Sequence, residues 1–439
     1  MNKRNIIISC GAILLSLTGV WAQQPQPLRL TLDECREMAL SHSEELQQAD
    51  NALRQAELDQ QIAKTAFLPD FDASAIGSYI LPDIDMMGMK LRMRGTYMAG
   101  INLTQPIYAG GKIMTGNRLA RIGKEAASEQ LRMTRMDVIV EADNAYWSYI
   151  AVNRKVRMIE SYQAQMDTLY RQTETALAAG MATENDLLRI EAKRTEIHYQ
   201  LQKAQNGADL CRMSLCRIVG ADFNTGIDAV DTVFSIQAPG TLSPELDARP
   251  ELHLLEKQVV AGKEQVRMAR ADMLPVVGLS VGYSYYGNIK INGMADAGGT
   301  MVPYTQEFRD GLGLAMLSVK VPIFHWGENG KKVRKAQYEL RNAELELQKN
   351  SRLLSIQVQQ AIRNVQDGYG LVETAKKGLQ QAEENLRVMH NRYAASMAPL
   401  TDLLDAQSGW KQAASNLIEA QAQYKIYETE YLRSTGMLE

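Results

Sequence analysis

The chain has 439 residues, of which 45% are apolar and 23% are charged, with 48 basic side chains against 51 acidic ones. This composition excludes an intrinsically disordered chain, and four cysteines are too few for a disulfide-stabilised scaffold. The formal net charge of −3 makes nucleic acid an unsuitable partner, and because no run of eighteen apolar residues occurs, a membrane-spanning helix is also excluded.

The first 22 residues have the pattern of a secretory signal peptide. Lys3 and Arg4 precede a short apolar stretch, which ends in Val20-Trp21-Ala22. A basic start, a short apolar core and a small residue at the cleavage site define such signals. We therefore predict that residues 1–22 are removed on export.

Three cysteines lie beyond the signal peptide, at Cys35, Cys211 and Cys216. An odd number cannot pair completely within one chain, and Cys211 and Cys216 face away from each other if their segment is helical. We interpret all three as small buried apolar side chains.

Two strand-like runs follow Leu68-Pro69, and two more follow Leu274-Pro275. In each run of about ten residues, apolar side chains alternate with small or polar ones, as at Val277, Leu279 and Val281. This alternation is typical of outer membrane barrel strands, and Tyr108, Phe324 and Trp326 would anchor them at the membrane interface. Pro106 and Pro322 are expected to end the return runs. Two hairpins packed on helices in a soluble protein remain an alternative.

Prolines are absent between Tyr108 and Ala238, between Ile323 and Ala398, and after Leu400. Because proline costs about 3 kcal/mol inside a helix, these stretches can hold long unbroken helices. Between Gly111 and Ala179 one helix could extend about 100 Å. Within the last stretch, apolar residues recur at every seventh position, which predicts a coiled-coil seam: Leu403, Trp410, Leu417, Tyr424 and Tyr431.

The chain contains an internal duplication. At a shift of 216 residues, Asp186-Leu187-Leu188 aligns with Asp402-Leu403-Leu404 and Gly220 aligns with Gly436. Before the strands the shift is 206, so the second copy is expected to have a longer loop between its strands. We predict a first repeat at 23–220, a linker at 221–248 and a second repeat at 249–439. Each repeat has a helix, a β-hairpin (about 70–107 and about 275–323) and a long helical hairpin (about 111–220 and about 327–436).

No motif of catalysis or of cofactor binding is present in the sequence. The five histidines are scattered without metal-ligand spacing. Ala109-Gly110-Gly111-Lys112 lacks the rest of a phosphate-binding loop and is better explained as a strand-to-helix turn. We therefore expect no enzyme activity, no cofactor and no metal.

These features together resemble the TolC-like outer membrane efflux protein family, from about Leu32 to Gly436. The resemblance rests on the signal peptide, the tandem halves, the hairpins and the long proline-free helices, with Gln105 to Gly111 and Tyr393 to Gln407 as its most specific segments. It implies an α+β membrane protein, a homotrimer with one 12-stranded β-barrel (four strands per chain) continued by a long α-helical periplasmic barrel. Residues 221–244 would form a belt around that barrel.

The resemblance further implies a function. The protein would be an exit duct in the outer membrane lipid of a Gram-negative-type bacterium. It would passively conduct substrates received from an inner-membrane transporter and a periplasmic adaptor (membrane fusion protein). The resemblance does not distinguish a cargo of drugs or metals from a cargo of peptides or proteins. The alternative from another class is a soluble periplasmic coiled-coil adaptor without a pore.

The resemblance also places a closable gate at the ends of the long helices. The family's gate tyrosine and aspartates match Tyr393, Asp402 and Asp405, with Asp186 as an acidic partner. Adaptor-docking tips match two turns, Gly180-Met181-Ala182-Thr183 and Ser396-Met397-Ala398-Pro399.

Two features of the tip leave its mechanism open. The family's frequent tip arginine is Ala398 here and its usual glycine is Ser396, so closure is expected to depend more on packing. Acids in the first turns of a helix also stabilise the helix dipole, so Asp402 and Asp405 could serve the gate, the helix start or both.

Overall fold

The computed structural model describes residues 27–86, 89–231, 234–296 and 298–438. The predicted signal peptide lies outside these residues. In chain order, the first half contains β1 (Leu28–Leu30), α1 (Leu32–His42), α2 (Glu44–Thr65), β2 (Asp70–Tyr79), β3 (Ile84–Met86), β4 (Met89–Arg92), β5 (Arg94–Ala109), α3 (Lys112–Ala178) and α4 (Glu184–Val219). The second half contains β6 (Ile227–Ala229), α5 (Pro250–Ala271), β7 (Val276–Asp296), β8 (Met301–Lys320), α6 (Glu328–Ala394) and α7 (Leu400–Thr435).

The duplication is visible in the lengths of the helices. Helices α3 and α6 each have 67 residues, and α4 and α7 each have 36. Both long helices begin after a left-handed glycine, Gly111 (φ 84°) and Gly327 (φ 75°), where the chain turns from strand to helix. Both shorter helices end at a left-handed glycine, Gly220 and Gly436. Glycine suits all four positions because it has no Cβ to clash at positive φ.

One antiparallel sheet contains all the strands of both hairpins. Strands β2, β5, β7 and β8 lie side by side, with β2 and β8 at the edges. The short strands β3 and β4 continue the first hairpin outward, where β4 pairs with the far part of β7. Within one chain, the outer sides of β2 and β8 have no strand partner among the described residues.

The second hairpin differs from the sequence prediction. Strands of about ten residues joined by a long loop were expected, but β7 has 21 residues and β8 has 20. The additional residues continue the ladder from Ile289–Phe308 to Asp296–Met301. Pro303 does not stop β8 because it lies on an edge strand, where a missing N–H is tolerated. The expectation that Pro106 ends the first return strand was also wrong, since β5 continues to Ala109 after a register shift between Pro106 and Tyr108.

The main core lies midway along the helices, where α1, α3 and α4 meet β1 and β6. Strand β1 pairs in parallel with β6, so the start of the first repeat is bound to the segment between the repeats. Tyr146 donates a hydrogen bond to the Leu30 carbonyl and Tyr149 donates one to the Ile227 carbonyl, which hold the two strands against α3. The segment after α4 is therefore fixed to the helices at about half their length.

A buried ion pair joins three helices in this core. Asp143 of α3 is fully buried, and Arg36 of α1 donates two hydrogen bonds to its carboxylate, at 2.7 and 2.6 Å. The hydroxyl of Thr429 on α7 donates a third, at 2.6 Å. The carboxylate is thus compensated by a charge and by hydrogen bonds, as burial requires.

Two kinds of feature are absent from the described residues. None of the helices in the four described ranges combines enough length and apolarity to cross a bilayer. In the same ranges, no three His, Cys, Asp or Glu residues are grouped as metal ligands would be.

Candidate functional site

The two turns at the ends of the long helices have the same backbone structure. At the first turn, Gly180 has φ 74° and the Met181 N–H donates to the Ala176 carbonyl at 2.8 Å. At the second, Ser396 has φ 55° and the Met397 N–H donates to the Arg392 carbonyl, also at 2.8 Å. In this pattern a residue in the left-handed conformation, normally glycine, lets the N–H groups at the turn bond to the last carbonyls of the helix.

Both turns present a methionine to solvent. Met181 is 80% exposed and Met397 is 74% exposed. Ala182 and Ala398 beside them are half-buried. Each turn therefore carries one large, flexible apolar side chain at its outermost point, a feature of adaptable binding surfaces.

The helices that leave the two turns begin differently. Thr183 caps α4, and its hydroxyl and the carboxylate of Asp186 exchange hydrogen bonds with each other's backbone N–H groups. Pro399 is the N-cap residue of α7 and makes no side-chain hydrogen bond there. Asp186 therefore has a structural role at its helix start that Asp402 lacks.

A hydrophobic cluster lies behind the turns and joins all four long helices. We call it the tip cluster. Its buried members come from α3, α4 and α7, and they are Tyr162, Met166, Leu169, Ile190, Ile197, Leu400 and Leu403. Helix α6 contributes Leu386, Met389 and Tyr393, which are partly buried against it.

The three candidate gate residues of the second hairpin lie on different sides of this cluster. Tyr393 packs against the tip cluster. Asp402 and Asp405 are exposed, while Leu403 and Ala406 between and after them are buried. Because positions three apart share a helix face, the two carboxylates form an acidic stripe on the side of α7 turned away from the cluster.

Polar contacts around the tip cluster were not predicted from the sequence. Arg194 of α4 donates a hydrogen bond to Asp167 of α3 at 2.7 Å, and its guanidinium lies over the Tyr170 ring at 4.4 Å. Arg194 and Asp167 are nearly equidistant from the first turn, so a search for opposite charges at such positions could have found them. Neighbouring Tyr162 is fully buried, and burial raises the pKa of its phenol to about 12.

The second hairpin makes its own polar contact with the first. Lys411 of α7 donates a hydrogen bond to Gln200 of α4 at 2.9 Å. Burial lowers the pKa of Lys411 from its ordinary value. This contact and the Arg194 pair connect α4 to both of its neighbours above the turns, so the tip helices are held by packing and by side-chain hydrogen bonds.

The cysteines are far from the tips. All three are free, with Cys35 and Cys216 buried and Cys211 half-buried against the main core. The interpretation as small core side chains is thus confirmed for Cys35 and Cys216, while Cys211 retains partial exposure.

Comparison with known proteins gives one consistent result. The sequence matches the family described as "Outer membrane efflux protein" over residues 35–220 and 241–436, one match for each repeat. Outer membrane protein TolC of Escherichia coli is 24% identical over 353 residues, which cover 77% of this chain and 69% of TolC.

Solved structures of outer membrane proteins share the fold. The outer membrane protein VceC from Vibrio cholerae aligns with a TM-score of 0.74 at 19% identity, covering 92% of this chain and 96% of VceC. The open state of the Neisseria gonorrhoeae MtrE outer membrane channel aligns with a TM-score of 0.76 at 17% identity, covering 92% and 88%.

Proposed function

The chain belongs to the outer membrane efflux protein family, and from that membership we propose that its periplasmic end is a closable gate at the two tip turns. The protein is an outer membrane channel that extends into the periplasm and works with a periplasmic adaptor and an inner-membrane pump. It conducts substrates passively outward. The soluble adaptor considered as an alternative is not favoured, because the family match covers both repeats.

The assembly follows from the open sheet. In lipid an unpaired strand edge is not tolerated, so β2 and β8 must pair with neighbouring copies. Three chains with four long strands each form the twelve-stranded barrel of a homotrimer. Fractionation and native mass measurement test this assembly, and a soluble periplasmic monomer would contradict it.

The observation that carries the gate proposal is the acidic stripe on α7. Asp402 and Asp405 face away from the tip cluster, so they are free to line a central opening while Leu403 packs behind them. In a trimer six carboxylates surround that opening, which attracts cations and holds them there. Tyr393, packed on the same cluster, and Asp186 at the neighbouring helix start complete the proposed gate.

The gate is tested by single-channel recording in planar bilayers. Asp402→Asn with Asp405→Asn keeps the side-chain shape and removes the charge, so block by multivalent cations should weaken at least about tenfold. Glu184→Gln, which neutralises one exposed acid in the first turn of α4, serves as the control and should leave the block unchanged. Unchanged block in the double variant would remove both aspartates from the gate.

We further propose that the adaptor docks on the two turns, Gly180 to Thr183 and Ser396 to Pro399. The support is the exposure of Met181 and Met397 at their outermost points. Met181→Asp with Met397→Asp should reduce crosslinking to a co-expressed adaptor in cells. Met213→Asp is the control, because Met213 is an exposed methionine near the end of α4 that is remote from the turns.

The family consists of channels, not enzymes, and we propose that this chain catalyses no reaction. A purified trimer should therefore show transport-related properties, such as conductance, without turnover of any pump substrate.

A further inference from the structure

The two β-hairpins continue beyond the aromatic side chains that mark the end of the membrane-crossing sheet. Tyr97 and Tyr285 stack with ring centroids 6.4 Å apart, and Tyr283 covers Gly311 on the next strand. All three tyrosines are exposed on the same face of the sheet as Leu279 and Val281. Such rings occupy the membrane–water interface, so the described residues within 80–94 and 288–307 lie outside the bilayer.

Between these tyrosines and the helices, the side chains of β5 and β7 alternate between an apolar and a more polar face, as in barrel strands. On β7 the face that we call outer carries Leu279, Val281 and Tyr283, and the inner face carries Gly278, Ser280 and Ser284. The outer face meets lipid and the inner face meets the lumen. On the edge strand β8 the inner face already becomes apolar at Leu312 and Leu314.

A β-bulge then exchanges the two faces of β7. Tyr286 pairs with Asp310, but Ile289 pairs with Phe308, so β7 has one extra residue at this level. Asn288 adopts φ 61° there, and its side-chain amide donates hydrogen bonds to the carbonyls of Arg94 (3.0 Å) and Gly95 (2.9 Å). Because an extra residue shifts the alternation by one, every later residue of β7 changes face.

Beyond the bulge, towards the ends of the hairpins, the inner face becomes mainly apolar and the outer face more polar. Directly paired residues share a face, so the register assigns each side chain. The inner face now carries, together with Gln306, the apolar residues Ile84, Met89, Leu91, Ile289, Ile291, Val302, Tyr304 and Phe308. The outer face carries Asp85, Lys90, Arg92, Lys290, Asn292, Thr305 and Glu307, followed at the end of the second hairpin by Met294, Pro303 and Met301.

Among the described residues of one chain, none covers this apolar surface. Ile84 and Val302 are each 45% exposed, Met89 is 40% exposed and Tyr304 is 37% exposed. A contiguous apolar surface outside the membrane costs free energy in water and marks an interaction site. Since it lies on the inner face, the partner must lie inside the ring of strands.

We propose that the inner faces of the three copies meet on the trimer axis and form a hydrophobic cap over the external mouth of the channel. The proposal rests on the trimer of the proposed function. The occupant is a second copy of this chain, because the extension continues the strands whose edges already pair between copies. The outer face, which is charged or polar except at Met294, Pro303 and Met301, then meets water. An apolar constriction of this kind closes a channel by excluding water, and passing cargo displaces it.

Crosslinking tests the contact between copies. Val302→Cys and Thr305→Cys place a thiol on opposite faces of β8 three residues apart. Oxidation should join copies of Val302→Cys into dimers on a denaturing gel, whereas Thr305→Cys should remain monomeric. Equal crosslinking of the two variants in an intact trimer would overturn the cap while leaving the channel function in place.

Accessibility tests the closure. Ser74 is exposed on the inner face below the bulge, paired with Gly100. A membrane-impermeant maleimide applied to intact cells should label Ser74→Cys slowly, and Ile291→Ser with Val302→Ser should raise the rate at least about tenfold. Lys290→Ser on the outer face is the control and should not change the rate. Fast labelling of Ser74→Cys without cap substitutions contradicts the cap, and the absence of trimers would contradict both proposals.

Discussion

Gly180 and Ser396 occupy the same left-handed backbone position, 216 residues apart, at the two turns where the long helices reverse. Their neighbours make equivalent hydrogen bonds, so the two turns have the same backbone structure and differ in the side chain at this position. A residue with a Cβ pays about 1–2 kcal/mol in this conformation and glycine does not. The second turn is therefore the more strained of the two.

Exchanging these residues should have opposite effects on the two turns. Ser396→Gly should stabilise its turn by about 0.5–1 kcal/mol, and Gly180→Ala should destabilise the first by about 1 kcal/mol. Hydrogen exchange of the turn amides in the detergent-solubilised trimer measures both. Gly409→Ala is the control, because Gly409 lies inside α7 with open space around it and should stabilise the helix. If Gly180→Ala stabilises its segment as Gly409→Ala does, the left-handed conformation at position 180 does not cost free energy for a residue with a Cβ.

The unequal helix starts predict unequal responses to the loss of an acid. Asp186 accepts a hydrogen bond from the Thr183 N–H, whereas Pro399 leaves Asp402 without a capping partner. Asp186→Ala should destabilise the first turn of α4 by about 1 kcal/mol, and Asp402→Ala should change α7 by less than about 0.5 kcal/mol. Hydrogen exchange at the two helix starts distinguishes them. A large effect of Asp402→Ala would indicate that its main role is at the helix start.

The long elements could be predicted from the sequence, and the pairings between distant segments could not. Helix α3 begins and ends within a residue of the predicted limits, Gly111 and Ala179, because proline and glycine mark helix ends through local chemistry. The three-residue strand β1 pairs with β6 about 200 residues away, and such short strands carry no periodic signal. The outward extension of β7 was missed because the bulge at Asn288 interrupts the alternation that identifies a strand. The Arg194–Asp167 pair is an intermediate case, because the equal distances of the two residues from the first turn point to it but the contact itself depends on how α3 and α4 pack.

The buried carboxylate of Asp143 predicts a large loss of stability on neutralisation. Asp143→Asn should lower the free energy of unfolding by about 3 kcal/mol, because Arg36 loses the charge that compensates it. Denaturant titration followed by circular dichroism measures the change. Asp50→Asn breaks the exposed Asp50–Arg54 pair and should cost less than about 0.5 kcal/mol. Equal losses for the two variants would show that burial of the pair is unimportant.

The thiols should differ in reactivity towards alkylating agents. Burial, assisted by the charge of Asp143, raises the pKa of Cys35 to about 12, and burial also raises the pKa of Cys216. Because the thiolate is the nucleophile, both should resist a maleimide at neutral pH until the protein unfolds. Cys211 is only half-buried and should react first. Mass spectrometry of peptides from native and unfolded protein shows the order, with Cys211→Ser as the control.

An ion-pair network between α3, α5 and α7 predicts a response to acid. Burial opposes the charge of Glu251, but hydrogen bonds from Arg249 and Arg433 outweigh it and lower the pKa of the carboxyl. Arg433 also donates to Asp137 of α3 at 2.7 Å. Since the pKa is lowered in the folded protein, the stabilisation is present above the ordinary value of 4.5 and is lost as the pH falls through the lowered value.

Thermal unfolding between pH 6 and pH 3 tests this relation. The parent Tm should fall steeply below about pH 4.5, and in Glu251→Gln, which starts from a lower Tm, the fall should be shallower because the titrating carboxyl is gone. Glu256→Gln changes an exposed glutamate on the same helix and should keep the parent profile. Parallel profiles for the parent and Glu251→Gln would show that acid acts elsewhere. A shallower profile for Glu251→Gln alone places the acid-sensitive contact where α5 meets α7, well away from the carboxylates of the proposed gate.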